Sequence, residues 1–318
     1  MKKSFKLGLG ILILGLFLVA TSLFSGQKLA ITFDGMRPVL YSQYEAKNYH
    51  KHKENLATSD IKTLTLDTSN VQLVIKTGKK FTWQYQSWDK KPDVKVINGN
   101  LTIKQHSKEF HYTSVFDFDW INDKPDKIIL IVPENFEFEQ VRLVVRTAKN
   151  VNINGLKTKN MSFAAGYLAN LKINDSRFEN LNLDLNGEEV ELDNTIVMAG
   201  NMNLESQLVV SSSTLKDVAV NNEYRIEFSN VSLCGGKLST NGNVNVINSN
   251  ITRGYQIINE SNDTYITNTT ADGYWLISDE DNGSLKLFDK TGSKTLTKDH
   301  TKENCLKIMT NDGVIKVN

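Results

Sequence analysis

Carboxylates are the residues in this 318-residue chain best placed to do chemistry, and they gather twice, at Glu188, Glu189, Glu191 and Asp193 and again at Asp117, Asp119 and Asp123. Hydrolysis of a glycosidic bond needs two carboxylates facing one cleft, and a lyase needs a positioned base. Glu189 and Glu191 alternate with Val190 and Leu192, so they fall on the outward face of a strand, where solvated charge belongs. Neither group has an Arg, His or Lys paired with it, and no catalytic residue is assigned. His50 and His52 stand at i, i+2 within a polar, Lys-rich stretch and lack the acidic or thiol ligands that would complete a metal site. The turn from Ser278 to Gly283 has the composition of a calcium loop but not the spacing, with no closing glutamate. Cys234 and Cys305 are too sparse for a disulfide framework. The reading is non-enzymatic, with no metal and no cofactor.

Aromatic residues offer binding chemistry instead. Phe81, Trp83 and Tyr85 share one parity, as do Phe110, Tyr112, Phe116, Phe118 and Trp120, and same-parity residues of a strand point to the same side of a sheet. Trp83, Tyr85, Tyr112, Phe118 and Trp120 are the candidates for a sugar-stacking or partner-binding surface. The competing reading makes the same faces a core that closes one end of the protein. A contiguous exposed apolar patch of that size is unusual on a soluble surface, which favours the core.

The elements that must position these residues repeat. From Val151-x-Ile153-x-Gly155 the pattern returns as Leu171-x-Ile173-x-Asp175, Val190-x-Leu192-x-Asn194 and Leu208-x-Val210-x-Ser212. It continues as Ile226-x-Phe228-x-Asn230, Val244-x-Val246-x-Asn248, Thr264-x-Ile266-x-Asn268 and, loosely, Leu285-x-Leu287-x-Asp289. A fixed period of 18–21 residues marks a stacked repeat. Each repeat has a second alternating segment, such as Val141-x-Leu143-x-Val145 and Leu181-x-Leu183-x-Leu185. Two short strands and two polar turns fill one rung. The fold class is therefore all-β, a single-stranded β-solenoid (β-helix) of seven or eight rungs. The small polar residue that follows each apolar pair predicts an amide ladder holding the register. Leu306-x-Ile308 and Val314-x-x-Val317 predict a last irregular rung covering the open end.

Residues 7–24 carry no charge, and Lys2, Lys3 and Lys6 precede them. About 20 apolar residues cross a bilayer core, so the run predicts one N-terminal transmembrane helix. The basic residues put the N-terminus in the cytoplasm and the rest outside the cell. The organisation expected is an anchor over 1–26, a juxtamembrane stalk over 27–60, a β-rich capping section over 61–138 and the solenoid with its C-terminal cap over 139–318. A formal net charge of +1 offers no basic surface for a phosphate backbone, so no nucleic-acid partner is expected.

Residues 61–289 resemble an adhesin-type domain family of bacterial envelope proteins, β-solenoids of undefined function. The likeness rests on Ile61-Lys-Thr-Leu-Thr-Leu, Asn100-Leu-Thr-Ile-Lys, Ile129-Leu-Ile-Val-Pro133, the Val141–Gly155 segment and the Asn-rich turns. The resemblance implies an extracytoplasmic, membrane-attached, adhesin-like role, with a cell-wall polymer or an envelope protein as partner. It supplies no catalytic residues. An envelope-stress accessory that binds a neighbouring membrane protein is the alternative, and a polysaccharide-active β-helix enzyme comes last.

Overall fold

Alternation of apolar and polar residues turns one side of every strand inward, and parallel stacking then lines those sides up. The computed structural model describes residues 31–34, 37–56, 61–88, 91–106, 125–279 and 284–318, with Gly8, Gly10, Ile13, Gly15 and Phe17 as isolated helical positions. The rest of the 7–24 run lies outside the described residues. Among those described, no helix is long and apolar enough to cross a membrane.

Each coil has three faces. On the first, one interior column runs Ile103, Leu66, Leu143, Phe163, Leu183, Met202, Val220, Leu238, Ile257, Ile308 and Leu276, each paired in parallel register with the next. Every member is at most 1% exposed. A matching column on the second face runs from Leu130 and Ile75 through Ile153, Ile173, Leu192, Val210, Phe228, Val246 and Ile266 to Val317 and Leu287. The narrow third face adds Phe138, Thr158, Phe178, Val197, Leu215, Leu233 and Ile251. The described residues thus stack as eleven coils, more than the seven or eight that the repeat alone suggests. At ~4.8 Å per step the body is ~48 Å long.

The extra coils come from the ends, where order in space departs from order in sequence. Thr63–Ser69 and Val71–Gly78 lie parallel to the coil of Phe138–Asn154, so the stack reaches into the section read as a cap. Asn100–His106 and Asp126–Pro133 then sit outside them. At the other end Cys305–Thr310 is inserted between Tyr255–Asn259 and Gly273–Ser278. Val314–Val317 is likewise inserted between Thr264–Thr267 and Ser284–Leu287. The rung expected to cover the open end is therefore an internal one. Its strands, Cys-Leu-Lys-Ile-Met-Thr and Val-Ile-Lys-Val, bury every second residue and need neighbours on both edges. Covering the end falls to Lys290–Gly292 and Thr295–Lys298, which are polar, mostly exposed and antiparallel to the last coil. Asp93–Ile97 does the same at the opposite end. Charged, short edge strands discourage pairing with other chains.

The stretch read as a stalk is structured where it is described. Ile31–Asp34 and Arg37–Leu40 form a hairpin, Tyr41–Asn48 is the one short helix among the described residues outside the 8–17 segment, and His50–Asn55 pairs antiparallel with Thr82–Ser87.

The small polar column has a different cause from the one expected. Gly155, Asp175, Asn194, Ser212, Asn230, Asn248 and Asn268 all adopt left-handed backbone, with φ between 46° and 72°. Gly, Asn and Asp tolerate that conformation best. Apart from Gly155 these side chains are exposed, and of the expected amide ladder the Asn194–Asp175 hydrogen bond is the rung-to-rung contact present. Their backbone N–H groups instead donate to the coil above, as in Asn194 to Ser211 O and Asn230 to Ile247 O. The last coil breaks the pattern, with Phe288 rather than Asp289 at the left-handed position.

The side-chain ladder lies one residue further on. Ser176, Thr195, Ser213, Ser249 and Thr269 are buried. Ser176 Oγ accepts from Leu156 N–H at 3.1 Å, Ser213 Oγ from Thr195 N–H at 2.9 Å and Ser249 Oγ from Val231 N–H at 3.1 Å. Each hydroxyl in turn donates to the carbonyl two residues before it.

Two substitutions separate the columns. Ser213→Ala strands the buried Thr195 N–H and should cost about 1–3 kcal/mol. Asn230→Gly should change stability by only a few tenths of a kcal/mol, whereas Asn230→Leu should lose about 1–2 kcal/mol through backbone strain alone. Urea-unfolding midpoints check both, and an unstable Asn230→Gly would restore the amide ladder.

Candidate functional site

The corner between the first and second faces changes length along the stack. Five residues separate Val145 from Val151 and Ala165 from Leu171, then four separate Leu185 from Val190. Only three separate Leu204 from Leu208, Asn222 from Ile226 and Thr240 from Val244. The loss happens at two register shifts, between Ala165 and Leu168 and between Asn186 and Glu189. With fewer residues joining the same two faces, the corner draws inward. A groove of about 690 Å³ follows it.

Two outward columns line the groove. One runs Val144, Ala164, Asp184, Asn203, Asn221 and Ser239, the other Arg146, Gly166, Asn186, Glu205, Glu223, Asn241 and Glu260. Side-chain contacts between coils order the walls. Asn186 Nδ2 donates to Glu205 Oε2 at 2.8 Å, and Asn221 Nδ2 donates to Asn203 Oδ1 at 2.9 Å. Beneath them the corner is braced by buried Asn222, which donates to Ser206 O at 2.7 Å and accepts from Tyr224 N–H at 2.6 Å. Asn259 repeats this two coils on, donating to Gly242 O at 3.0 Å.

The acidic rung singled out from sequence does not converge on one cleft. Glu188 accepts from the Tyr167 hydroxyl at 2.8 Å, and that hydrogen bond pushes the phenol pKa up. Glu191 pairs with Lys172, and Asp193 accepts from Ser211 Oγ at 2.7 Å. Trp83 is fully buried and Tyr85 nearly so. They lie opposite Leu130 and Ile128 and stack on each other with centroids 5.6 Å apart, so they are core of the N-terminal end. Phe81 joins them through edge contacts with Phe136 and Phe138. Tyr112, Phe118 and Trp120, with Asp117, Asp119 and Asp123, lie outside the described residues. His52 packs its ring against Trp83 and Tyr85 and meets Glu54 at 3.4 Å. Cys234 and Cys305 are free thiols, and burial pushes that of Cys305 up. Of the turn from Ser278, residues 280–283 are not among those described. Among the described residues no cluster of three or more His, Cys, Asp or Glu could hold a metal ion.

The model of the family described as Toastrack DUF4097 matches residues 61–318. The chain belongs to this family. The match takes in every coil of the Toastrack stack, including the inserted one at 305–317. Two solved structures are similar to the chain at low identity. One is a "putative cell adhesion protein" from Clostridium sporogenes, 9% identical, with 85% of this chain and 98% of that chain covered and a TM-score of 0.22. The other is a "putative adhesin" from Bacteroides fragilis, 12% identical, covering 85% and 96%, with a TM-score of 0.31. No curated protein matches the Toastrack chain.

Groove and core separate by mutation. Trp83→Ala should destabilise the N-terminal end by about 3–5 kcal/mol, the cost of emptying a buried aromatic site. Glu205→Gln and Glu223→Gln should leave the melting temperature unchanged or raised, within about 0.5 kcal/mol, because each removes an exposed charge from a like-charged row. A calorimetric scan of the three variants decides the assignment.

Proposed function

We propose that this protein is a membrane-anchored, extracytoplasmic binding module of the bacterial cell envelope, adhesin-like and non-enzymatic, which holds an extended polymer along the corner groove. The carrying observation is the groove itself, an open channel lined by seven successive coils, six of which present polar side chains at the coil spacing. A pocket for a small substrate would be enclosed, whereas an open repeating channel suits a repeating ligand. The uncharged run at 7–24 behind Lys2, Lys3 and Lys6 supports the anchor and the outward placement.

Protease treatment of intact cells should digest residues 60–318 and spare the N-terminus, and protection of the β-body would refute the placement. Purified cell wall should retain the wild-type full-length protein and release Asn203→Trp, which fills the groove. Equal retention of the two would refute the groove as the binding site. Accumulation of reducing ends during incubation would refute the non-enzymatic reading.

A further inference from the structure

The two ends of the rod differ in charge and in what they expose. Residues 1–132 carry 19 Lys and Arg against 12 Asp and Glu, whereas residues 133–318 carry 18 against 24. The basic part includes the N-terminal end of the stack, where two strands are outermost. On the first face it is Asp93–Ile97, antiparallel to Asn100–His106. On the second it is His50–Asn55, antiparallel to Thr82–Ser87, which in turn lies on Asp126–Pro133. Lys51, Lys53, Lys91, Lys95 and Lys104 are exposed on or beside these strands. Two acids stand among them. Glu54 meets Lys91 at 3.9 Å and Asp93 meets Lys95 at 2.7 Å, which leaves Lys51, Lys53 and Lys104 with no ion pair among the described residues.

Apolar side chains are bare at the same place. Val96 is 46% exposed and Ile97 61%, at the tip of the hairpin that Asn98 and Gly99 close in left-handed backbone. Of the large apolar residues described from Ile31 onward, Ile97 is the most exposed. An edge strand that only had to resist pairing with other chains would carry charge there. An apolar tip among lysines suits the headgroup layer of a bilayer, where the apolar groups enter the acyl boundary and the ammonium groups meet lipid phosphates.

The path of the chain brings this end to a bilayer. Residues 25–30 are all that separates the uncharged run at 7–24 from the hairpin of Ile31–Asp34 and Arg37–Leu40. That hairpin leads directly into the helix Tyr41–Asn48, ~12 Å long, and the helix into His50–Asn55. The connection is fastened to the same end of the rod. Tyr44 and Tyr49 pack on Trp88 with centroids 6.2 and 4.9 Å away, and the Tyr49 hydroxyl donates to Pro125 O at 3.0 Å. The N-terminal end, and not the far end of a ~48 Å body, is therefore the one beside the 7–24 run.

We propose that the N-terminal end of the rod is a second membrane contact. Val96 and Ile97 enter the interface of an anionic bilayer, and Lys51, Lys53 and Lys104 meet its headgroups, so that the stack points away from the surface. This rests on the membrane anchor of the reading above and adds a surface that orients the body.

The test uses the full-length protein in lipid nanodiscs, of phosphatidylcholine alone or mixed with phosphatidylglycerol. A polarity-sensitive fluorophore is attached at Ile97→Cys in a Cys234→Ser/Cys305→Ser background, and in a second sample at Thr291→Cys, exposed at the opposite end. In the anionic discs the label at 97 should shift to the blue and be quenched by doxyl lipid, and added salt should reverse both. The label at 291 should report water in both discs. Lys51→Gln/Lys53→Gln/Lys104→Gln should lower the ratio of docked to undocked protein by roughly a hundredfold, at about fivefold per basic residue beside an anionic surface, with an unchanged melting temperature. A label at 97 that stays in water in anionic discs would overturn the docking. So would one shielded in both discs without doxyl quenching, because another part of this chain would then cover the tip. Equal quenching in both discs would overturn the role of the lysines. Saturable binding of added polyphosphate, with the label at 97 still in water, would reassign this end to a polyanionic polymer. Failure to insert into either disc would refute the anchor itself, whereas insertion with an unshifted label refutes the docking alone.

Discussion

Parallel stacking of backbone is the constraint from which the rest of this structure follows. Every coil satisfies its N–H and C=O groups on the coils above and below, not within itself, so no coil is stable alone. That requirement fixes the interior columns, since a one-residue slip would turn every apolar side chain outward. It also fixes the corners. Asp175, Asn194 and Asn230 reverse the chain in left-handed backbone while their N–H groups still reach the next coil. Ser176, Thr195 and Ser213 make up for direct stacking bonds that the bend removes.

The groove is a by-product of the same rule. Coils joined by hydrogen bonds along their faces can differ in length only where they are not paired, and the corner at Ala165–Leu168 and Asn186–Glu189 is such a place. Deleting one residue at each shift leaves the faces in register and recesses the corner. A channel arises without any inserted loop, and its walls inherit the coil spacing. Its walls carry more acids than bases, Asp184, Glu205, Glu223 and Glu260 against Arg146.

Much of the fold was legible in the sequence because alternation and period report burial directly. The columns through Ile153, Leu192 and Phe228 are buried as the pattern requires. The out-of-order ends were not legible, because the Leu306–Val317 pattern specifies a buried strand without specifying its neighbours. The amide ladder failed for a related reason. Asn serves both amide stacking and left-handed backbone, and composition does not distinguish the two. The buried Ser/Thr column one position on carried the hidden signal. Of the site, Glu189 and Glu191 fall on the outward face as the alternation requires, half-buried and with Glu191 paired to Lys172, but the groove residues Asn203, Glu205 and Glu223 look like any polar strand face. Their mark was the drop in period from 20 to 18 residues between Leu171 and Leu208, which needs the register to interpret.

The inserted coil at Cys305–Val317 gives synthesis of the protein a definite order. When the chain has emerged as far as Lys298, Tyr255–Asn259 and Gly273–Ser278 both exist, yet the strand that joins them does not. The hairpin of the last coil must therefore wait undocked, or dock wrongly and be prised away, until later residues slide between. Joining elements so distant in sequence is slow and leaves strand edges bare meanwhile. A nascent chain halted before residue 305 would carry an open slot in its stack, and only translation past Val317 closes it. The finished rod is thus a record that the ribosome has passed that point.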